Sequence, residues 1–254
     1  MAKIKIVAVS YYNTLPMLYG LQHSEYVQQN CEITLAYPSE CARLLIENQC
    51  DIALVPIGAI PKLSEYHIVS NVCIGAESKV RSVLLVSETP INQIRRIYLD
   101  YQSATSVRLV KVLAEKFWKI SPEWIRSNPG YENLIDGDTA GVVIGDRCFT
   151  IKPHQYVYDL AEEWIKFSGL PFVFAAWLST KSIDNTLQSR LDEIFQIGIK
   201  DIPAVIDYYQ DRFIREFDPM EYYTQNISYN LTDRKREGMW LFLKYLNSSL
   251  SKPI

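Results

Sequence analysis

The chain has 254 residues, of which 48% are apolar and 22% are charged, and its formal net charge is −3. This length and composition predict one large or two modest globular domains and exclude an intrinsically disordered chain. The slightly negative charge gives no basic footprint for nucleic acid, and no apolar run reaches the roughly 18 residues of a transmembrane helix. We therefore expect a globular protein with neither a nucleic-acid nor a membrane partner.

The N-terminal segment and the cysteines indicate the compartment. Residues 1–10 lack the apolar stretch and the small-residue cleavage site of a signal peptide, which predicts a cytoplasmic location. Five cysteines, with no CxxC pair, are expected to be reduced thiols rather than disulfide partners or metal ligands. No spacing of histidines suggests a metal site, and the sequence has no nucleotide-binding glycine loop and no GxSxG nucleophile elbow.

The first part of the chain alternates predicted strands and helices. A strand at Lys3–Val9 leads into a polar loop, where Asn13 or Thr14 can cap a helix that tolerates Pro16 in its first turn. A strand at Glu32–Ala36, a helix capped by Ser39 and running to Asn48, and a strand at Asp51–Val55 follow. This alternation predicts a parallel α/β sheet.

A second strand and helix series follows, and the last third of the chain is predicted to be helical. The predicted elements are strands at Val69–Ile74, Val83–Ser87, Arg96–Leu99, Gly141–Gly145 and Phe172–Leu178, and helices at Ala104–Trp118 and Ala161–Phe167. Two architectures fit this order. One has two successive domains, and the other has two lobes between which the chain crosses twice.

Short polar groups stand where predicted strands hand over to helices or loops. They are Asn13 and Thr14, Ser39, Ser82, and the run Ser103, Thr105 and Ser106. In open α/β sheets the carboxyl ends of the strands form the ligand crevice, and helix N-termini there favour carboxylates or phosphates. Each of these side chains is also a good helix cap. The pattern therefore indicates either a set of caps or an anion-binding crevice.

Several segments occur in an order that resembles a known family. They are YNTLP with Gly20, VRSVLLVS at residues 80–87, DYQSATSV at 100–107, IGD at 144–146, YDLAEEW at 158–164, GLPFVFA at 169–175 and ISYNL at 227–231. Together they are similar to the MqnA family, the chorismate dehydratases of the futalosine pathway of menaquinone biosynthesis. The ordered set covers nearly the whole chain.

The resemblance implies a fold like that of the type 2 periplasmic binding proteins, with two α/β lobes and a ligand cleft between them. It favours the double crossing, near residues 86–88 and 173–176. Lobe I would then comprise residues 1–86 and 176–254, and lobe II residues 87–175.

The resemblance also implies a reaction. The family removes water from chorismate to give 3-[(1-carboxyvinyl)oxy]benzoate, and this elimination needs no metal or organic cofactor. The expected enzyme is thus a hydro-lyase with chorismate as its small-molecule partner, acting as a monomer or homodimer. Two alternatives stay open: 1,4-dihydroxy-6-naphthoate synthase of the same pathway, and a non-catalytic solute-binding protein.

By the same resemblance, Asn13 and Ser82 are the expected catalytic residues. The expected substrate-binding residues are Tyr12, Thr14, Ser39, Arg81, Ser103, Thr105, Ser106 and Asp146. A general base is missing from this set, since Ser and Asn are poor bases. One hypothesis is that the enolpyruvyl carboxylate of the substrate itself takes the ring C3 proton.

Two local features affect these expectations. The segment Arg147-Cys148-Phe149 departs from the small or aliphatic residues that the resemblance leads us to expect, and Arg147 would offer a cation to a substrate carboxylate. The charges of Asp159, Glu162 and Glu163 are expected on the solvated face of a helix.

Overall fold

A computed structural model describes residues 3–250 of the chain. Within them the backbone forms two separate β-sheets, one of six strands and one of five. The strands are β1 (Ile4–Val9), β2 (Cys31–Ala36), β3 (Ile52–Pro56), β4 (His67–Ala76), β5 (Val83–Ser87), β6 (Arg96–Leu99), β7 (Glu123–Arg126), β8 (Thr139–Ile144), β9 (Tyr156–Asp159), β10 (Phe172–Ser179) and β11 (Ser228–Asn230).

Both sheets are mixed rather than parallel. The first has the order β11-β4-β10-β3-β1-β2, and only β1, β2 and β3 pair in parallel. The second has the order β7-β6-β8-β5-β9, with β5 antiparallel to both of its neighbours. The predicted parallel pairing is confirmed for the strands from which it was argued, β1, β2 and β3. β5 and β10 follow the two crossings and run antiparallel to both of their neighbours, so neither sheet is parallel throughout.

The sheets define two α/β lobes, and the chain crosses between them twice. It leaves the first sheet after β4 and joins the second at β5, so the first crossing segment is residues 77–82. It returns through residues 169–171 into β10. The predicted two-lobed α/β architecture is confirmed. The strand pairing assigns all of β5 to the second lobe and all of β10 to the first, which moves each crossing a few residues toward the N-terminus of the predicted one. Below, lobe I means residues 3–76 and 172–250, and lobe II residues 83–168.

Helices cover the sheets, and their first residues test the predicted N-caps. The α-helices are α1 (Leu15–Gln22), α2 (Glu25–Asn30), α3 (Pro38–Ile46), α4 (Ala104–Leu113), α5 (Leu160–Ser168), α6 (Asn185–Lys200), α7 (Ile202–Tyr208), α8 (Pro219–Glu221) and α9 (Asp233–Leu250). Ser103 caps α4, as one of the two interpretations of its polar run predicted. The prediction that Ser39 caps α3 is wrong: Pro38 begins the helix because its fixed φ suits a first turn, so Tyr37 is the N-cap.

Helix α1 packs against α6 almost backbone to backbone. A Cβ atom built on Gly20 of α1 would lie 1.9 Å from the carbonyl oxygen of Ile194, and one built on Gly198 of α6 would lie 2.0 Å from that of Pro16. Only glycine permits this approach at either position. Because α1 follows directly on the loop that carries Asn13, this contact also fixes the place of that loop.

The cysteines and the helices bear on the remaining sequence predictions. All five cysteines are free thiols, and Cys148 is the one that is not fully buried. In residues 3–250, no helix has the length and apolar character needed to cross a bilayer. Nor do three or more His, Cys, Asp or Glu side chains gather there as they would around a metal ion.

Candidate functional site

A small cavity lies between the two lobes. Its polar side chains come from three places: the loop after β1, the crossing segment before β5 and the first turn of α4, while the end of β8 adds Ile144 and Gly145. The lining residues are Val9, Tyr11, Asn13, Thr14, Pro38, Leu54, Pro56, Ile74, Val80, Ser82, Val83, Ser103, Thr105, Ser106, Ile144, Gly145, Phe174 and Ala175.

Asn13 lies in the loop between β1 and α1 and faces this cavity with Thr14 beside it. The Thr14 hydroxyl donates a hydrogen bond to Asn13 Oδ1 at 3.1 Å. The Tyr229 hydroxyl donates to the backbone carbonyl of Asn13 at 3.0 Å, which ties the loop to the C-terminal part of the chain. With its amide oxygen engaged by Thr14, Asn13 offers its NH₂ group as a hydrogen-bond donor.

Ser82 ends the first crossing segment and is almost completely buried. The preceding residue, Arg81, has a left-handed φ of 61°, and its backbone N–H donates to Asp159 Oδ2 at 2.7 Å. The Ser82 carbonyl accepts from the N–H of Gly145 at 2.8 Å. The Ser82 hydroxyl oxygen accepts from the Tyr222 hydroxyl at 2.7 Å. Backbone and side chain of Ser82 are therefore both held by neighbours from distant parts of the chain.

The first turn of α4 supplies hydrogen-bond donors to the same cavity. Ser103 Oγ accepts the backbone N–H of Ser106 at 3.0 Å and donates to Ser106 Oγ at 2.9 Å. The other N–H groups of this turn have no acceptor within the helix. The Thr105 hydroxyl accepts from the N–H of Gly58 and donates to the carbonyl of Phe174, both at 3.0 Å. Thr105 can therefore offer a ligand its backbone N–H, while its hydroxyl joins the two lobes.

Four of the predicted binding residues do not line the cavity. Ser39 is exposed in the first turn of α3. The guanidinium of Arg81 turns outward to Glu221, 2.7 Å away. The ring of Tyr12 packs on Phe217, and its hydroxyl donates to the carbonyl of Arg212. Asp146, the fourth, is described next.

Asp146 links the lobes at the edge of the cavity. Its Oδ1 accepts the backbone N–H of Tyr12 at 3.0 Å, and Gly145 before it lines the cavity with a φ of 65°. Burial raises the pKa of the Asp146 carboxyl to about 6, against the lowering effect of the Tyr12 hydrogen bond and of the Arg212 charge. In this structure Asp146 holds the loop that precedes Asn13.

The cavity lining carries no charged side chain among the described residues. Arg147, which was expected to offer a cation to a substrate carboxylate, pairs instead with the buried carboxylate of Asp100 and with Glu132. Phe149 of the same segment packs against the ring of Tyr222, with 5.3 Å between centroids. An anionic ligand in this cavity would thus meet hydroxyl groups, N–H groups and the positive end of the α4 dipole.

Sequence reasoning missed several residues that shape the site. Asp159 was expected to be solvated, but it is buried, caps α5 and accepts the Arg81 N–H. Glu163 is also buried, and its carboxylate accepts a hydrogen bond from Trp118 Nε1. Tyr222 meets Ser82 from 140 positions away. The Tyr222–Ser82 and Asp159–Arg81 contacts have no local sequence signal. The position of Asp159 at the start of a helix, however, could have suggested its role as a cap.

Comparison with solved structures shows the fold. Protein AF1704 from Archaeoglobus fulgidus superimposes with a TM-score of 0.76 over 97% of both chains at 14% identity. The alkanesulfonate-binding protein SsuA from Xanthomonas axonopodis pv. citri, solved with MOPS, gives 0.64 over 100% of this chain and 95% of its own, at 11% identity. The CA3427 gene product of Candida albicans, described as having the generic periplasmic binding protein fold, gives 0.61 over 100% and 92% at 14% identity. The expected periplasmic-binding-protein-like fold is confirmed.

Comparison at the sequence level supports the family that the ordered segments indicated. A curated protein named chorismate dehydratase, from Thermus thermophilus, is 25% identical over 241 residues, covering 83% of this chain and 85% of its own. The family profile described as menaquinone biosynthesis matches residues 4–248. The chain belongs to this menaquinone-biosynthesis family.

Proposed function

We propose that the protein is a chorismate dehydratase, a hydro-lyase that converts chorismate into 3-[(1-carboxyvinyl)oxy]benzoate and water. The observation that carries this proposal is the cavity, where Asn13, Ser82 and the first turn of α4 converge from three separate parts of the chain. Membership of the menaquinone-biosynthesis family and the name of the Thermus thermophilus relative support the same activity.

The reaction removes the ring C3 proton and the C4 hydroxyl, and the ring becomes aromatic. The C3–H is vinylogous to the ring carboxylate, so the charge that develops on proton loss spreads into that carboxylate. We place this carboxylate at the first turn of α4, with Ser103 and Ser106. The N–H groups there have a fixed orientation, so they stabilise the growing charge without having to reorganise.

Asn13 and Ser82 act on the leaving hydroxyl in this proposal. The amide NH₂ of Asn13 and the hydroxyl of Ser82 donate hydrogen bonds to the C4 oxygen as the C–O bond breaks. The enolpyruvyl carboxylate of the substrate accepts the C3 proton and returns it to the departing hydroxide, so the products are the benzoate and one water. Thr14 positions Asn13, while Tyr12, Arg81 and Asp146 shape the cavity from outside it; Ser39 has no part in this scheme.

The direct test is turnover of chorismate by the purified protein. We expect the diene absorbance of chorismate to fall, and chromatography with mass detection to show a product lighter by one water that retains the enolpyruvyl group. Asn13→Ala should lower kcat by about 100-fold, the effect of losing one donor to a developing oxyanion. As a matched control, Gln22→Ala removes a side-chain amide of lobe I that is bonded to Tyr209 outside the cavity, and should keep full activity.

Unchanged chorismate after prolonged incubation with folded protein would overturn the proposal. Equal turnover by wild type and Asn13→Ala would leave the activity standing and remove Asn13 from the mechanism.

A further inference from the structure

We propose that Tyr222 is a positioning residue for the reaction: its hydroxyl donates to Ser82 Oγ and thereby leaves the proton of Ser82 for the substrate. This inference rests on the proposed function and adds a residue from the far end of the chain. Tyr222 opens a π-helical turn, Tyr222–Asn226, that directly follows α8.

The direction of the hydrogen bond follows from the surroundings of Tyr222. Its hydroxyl lies 2.7 Å from Ser82 Oγ in a buried contact. Its ring packs among aromatic rings, with centroids of Phe217 at 5.2 Å and Phe149 at 5.3 Å, and these faces offer no strong acceptor. If Tyr222 accepted from Ser82, its own O–H would be left buried without a partner, which is costly. Tyr222 is therefore the donor.

The proton of Ser82 consequently has to find another acceptor. Within the protein it meets the carbonyl of Val80 at 3.4 Å, well beyond the 2.7–2.8 Å that is usual for O–H···O bonds. Ser82 also lines the cavity. A substrate oxygen in the cavity can take this weakly held proton into a shorter hydrogen bond, while Tyr222 keeps the lone pair on the other side of Ser82 Oγ occupied.

Burial supports the role by keeping Tyr222 a donor. It raises the pKa of the Tyr222 phenol well above its ordinary value, so the phenol stays protonated throughout the working pH range. No proton leaves Tyr222 in this scheme. Its contribution is to fix the orientation of the Ser82 hydroxyl before the substrate binds, which lowers the cost of orienting it during the reaction.

A double-mutant cycle on kcat tests the inference. Tyr222→Phe keeps the ring and its packing and removes only the hydroxyl, so we expect a folded protein with kcat lowered by about tenfold, the size of one hydrogen bond, and KM changed less. In the Ser82→Ala background the same substitution should have no further effect, because Tyr222 acts through Ser82. Tyr209→Phe, which removes a buried hydroxyl bonded to Gln22 in lobe I, should match wild type.

The outcomes separate this inference from the proposed function. Inactive wild-type protein overturns both. With active wild type, a Tyr222→Phe effect that is equally large in the Ser82→Ala background, or that is absent in both, overturns the positioning role alone. If Tyr222→Phe lowers the unfolding midpoint, the same cycle is measured as free energies of unfolding. Additive effects of the two substitutions would then also contradict a hydrogen bond between Tyr222 and Ser82.

Discussion

At the scale of single residues, the carboxylate of Asp146 could serve either to accept a proton from the substrate or to hold a neighbouring loop by a hydrogen bond. A carboxyl with a pKa near 6 is well suited to accept a proton at neutral pH. Its Oδ1, however, accepts the Tyr12 N–H, and its side chain does not line the cavity. The same burial that raises its pKa also makes its ionisation unfavourable in the folded protein, which links this residue to stability.

We predict that Asp146→Asn keeps most of the activity and is more stable than wild type at high pH. The folded-state pKa of about 6 lies above the ordinary 3.8, so the folded protein binds this proton more tightly than the unfolded chain, and stability falls as the pH rises from about 4 to 6. The Asn amide oxygen still accepts the Tyr12 N–H and never ionises. Urea unfolding should show a gain of roughly 1–3 kcal/mol at pH 8 and little difference at pH 3.5.

Asp138→Asn is a control with the opposite expectation. Arg96 lowers the pKa of the Asp138 carboxyl, so replacing this carboxylate with a neutral amide should not raise the free energy of unfolding at pH 8. Loss of turnover by Asp146→Asn with chorismate still bound would make Asp146 the base and remove the substrate carboxylate from that role.

At the scale of elements, the sequence predicted most strands and helix α5 to within a few residues because their signals are local. For the longest helices, α6 and α9, it predicted only that the last third of the chain is helical. Val83–Ser87 and Arg96–Leu99 were bounded correctly, since each is a short run of β-forming residues between polar loops. The edge strands β7, β9 and β11 were missed, because their three or four partly exposed residues carry no clear alternation. The close contact between α1 and α6 has no local signal, since it joins Gly20 to a helix some 170 residues later.

We predict that Gly20→Ala lowers both stability and activity. The new Cβ would lie 1.9 Å from the carbonyl oxygen of Ile194, which is backbone, so α1 or α6 must move at a cost of about 1–3 kcal/mol or more. Movement of α1 displaces the Asn13 loop, so kcat/KM should fall with the unfolding midpoint. In Gly137→Ala, where the new Cβ meets nothing within 4 Å, the φ of 56° alone costs about 1 kcal/mol, and kcat/KM should not change. A fully active Gly20→Ala would show that the helix contact does not position the loop.

At the scale of the whole molecule, the cavity exists because distant segments meet. The polar residues Asn13, Ser82, Ser103 and Ser106 were named from the sequence, by strand-end position and by resemblance, and the structure brings them to one cavity. For other residues near the cavity, the direction of the side chain was not predictable from the sequence. Arg81 and Tyr12 turn away because partners far along the chain, Glu221 and Phe217, hold them elsewhere.

Hydrogen bonds link the two lobes beside this cavity. The Tyr11 hydroxyl of lobe I donates to Gln102 Oε1 of lobe II at 2.6 Å, beside the Tyr12–Asp146 hydrogen bond. The Tyr11 ring also lies over Gly145, where an added Cβ would come within 3.2 Å of it. The crossing segments 77–82 and 169–171 are the only continuous connections between the sheets in residues 3–250. We therefore expect ligand entry to involve parting of the lobes about these segments, and we expect a bound ligand to favour the closed arrangement through contacts with both lobes.

We predict that Tyr11→Phe shifts the ligand-free protein toward an open arrangement. Loss of one interlobe hydrogen bond of about 1 kcal/mol changes the ratio of closed to open molecules about fivefold. In small-angle scattering the ligand-free variant should have a larger radius of gyration than wild type, and saturating reaction product should bring both to the same compact value. Tyr209→Phe is a matched control, since it removes an equally short tyrosine–glutamine hydrogen bond that lies within lobe I, and it should scatter like wild type. Identical radii for all three proteins, unchanged by the product, would mean that the lobes form one rigid body and that the ligand enters without their separation.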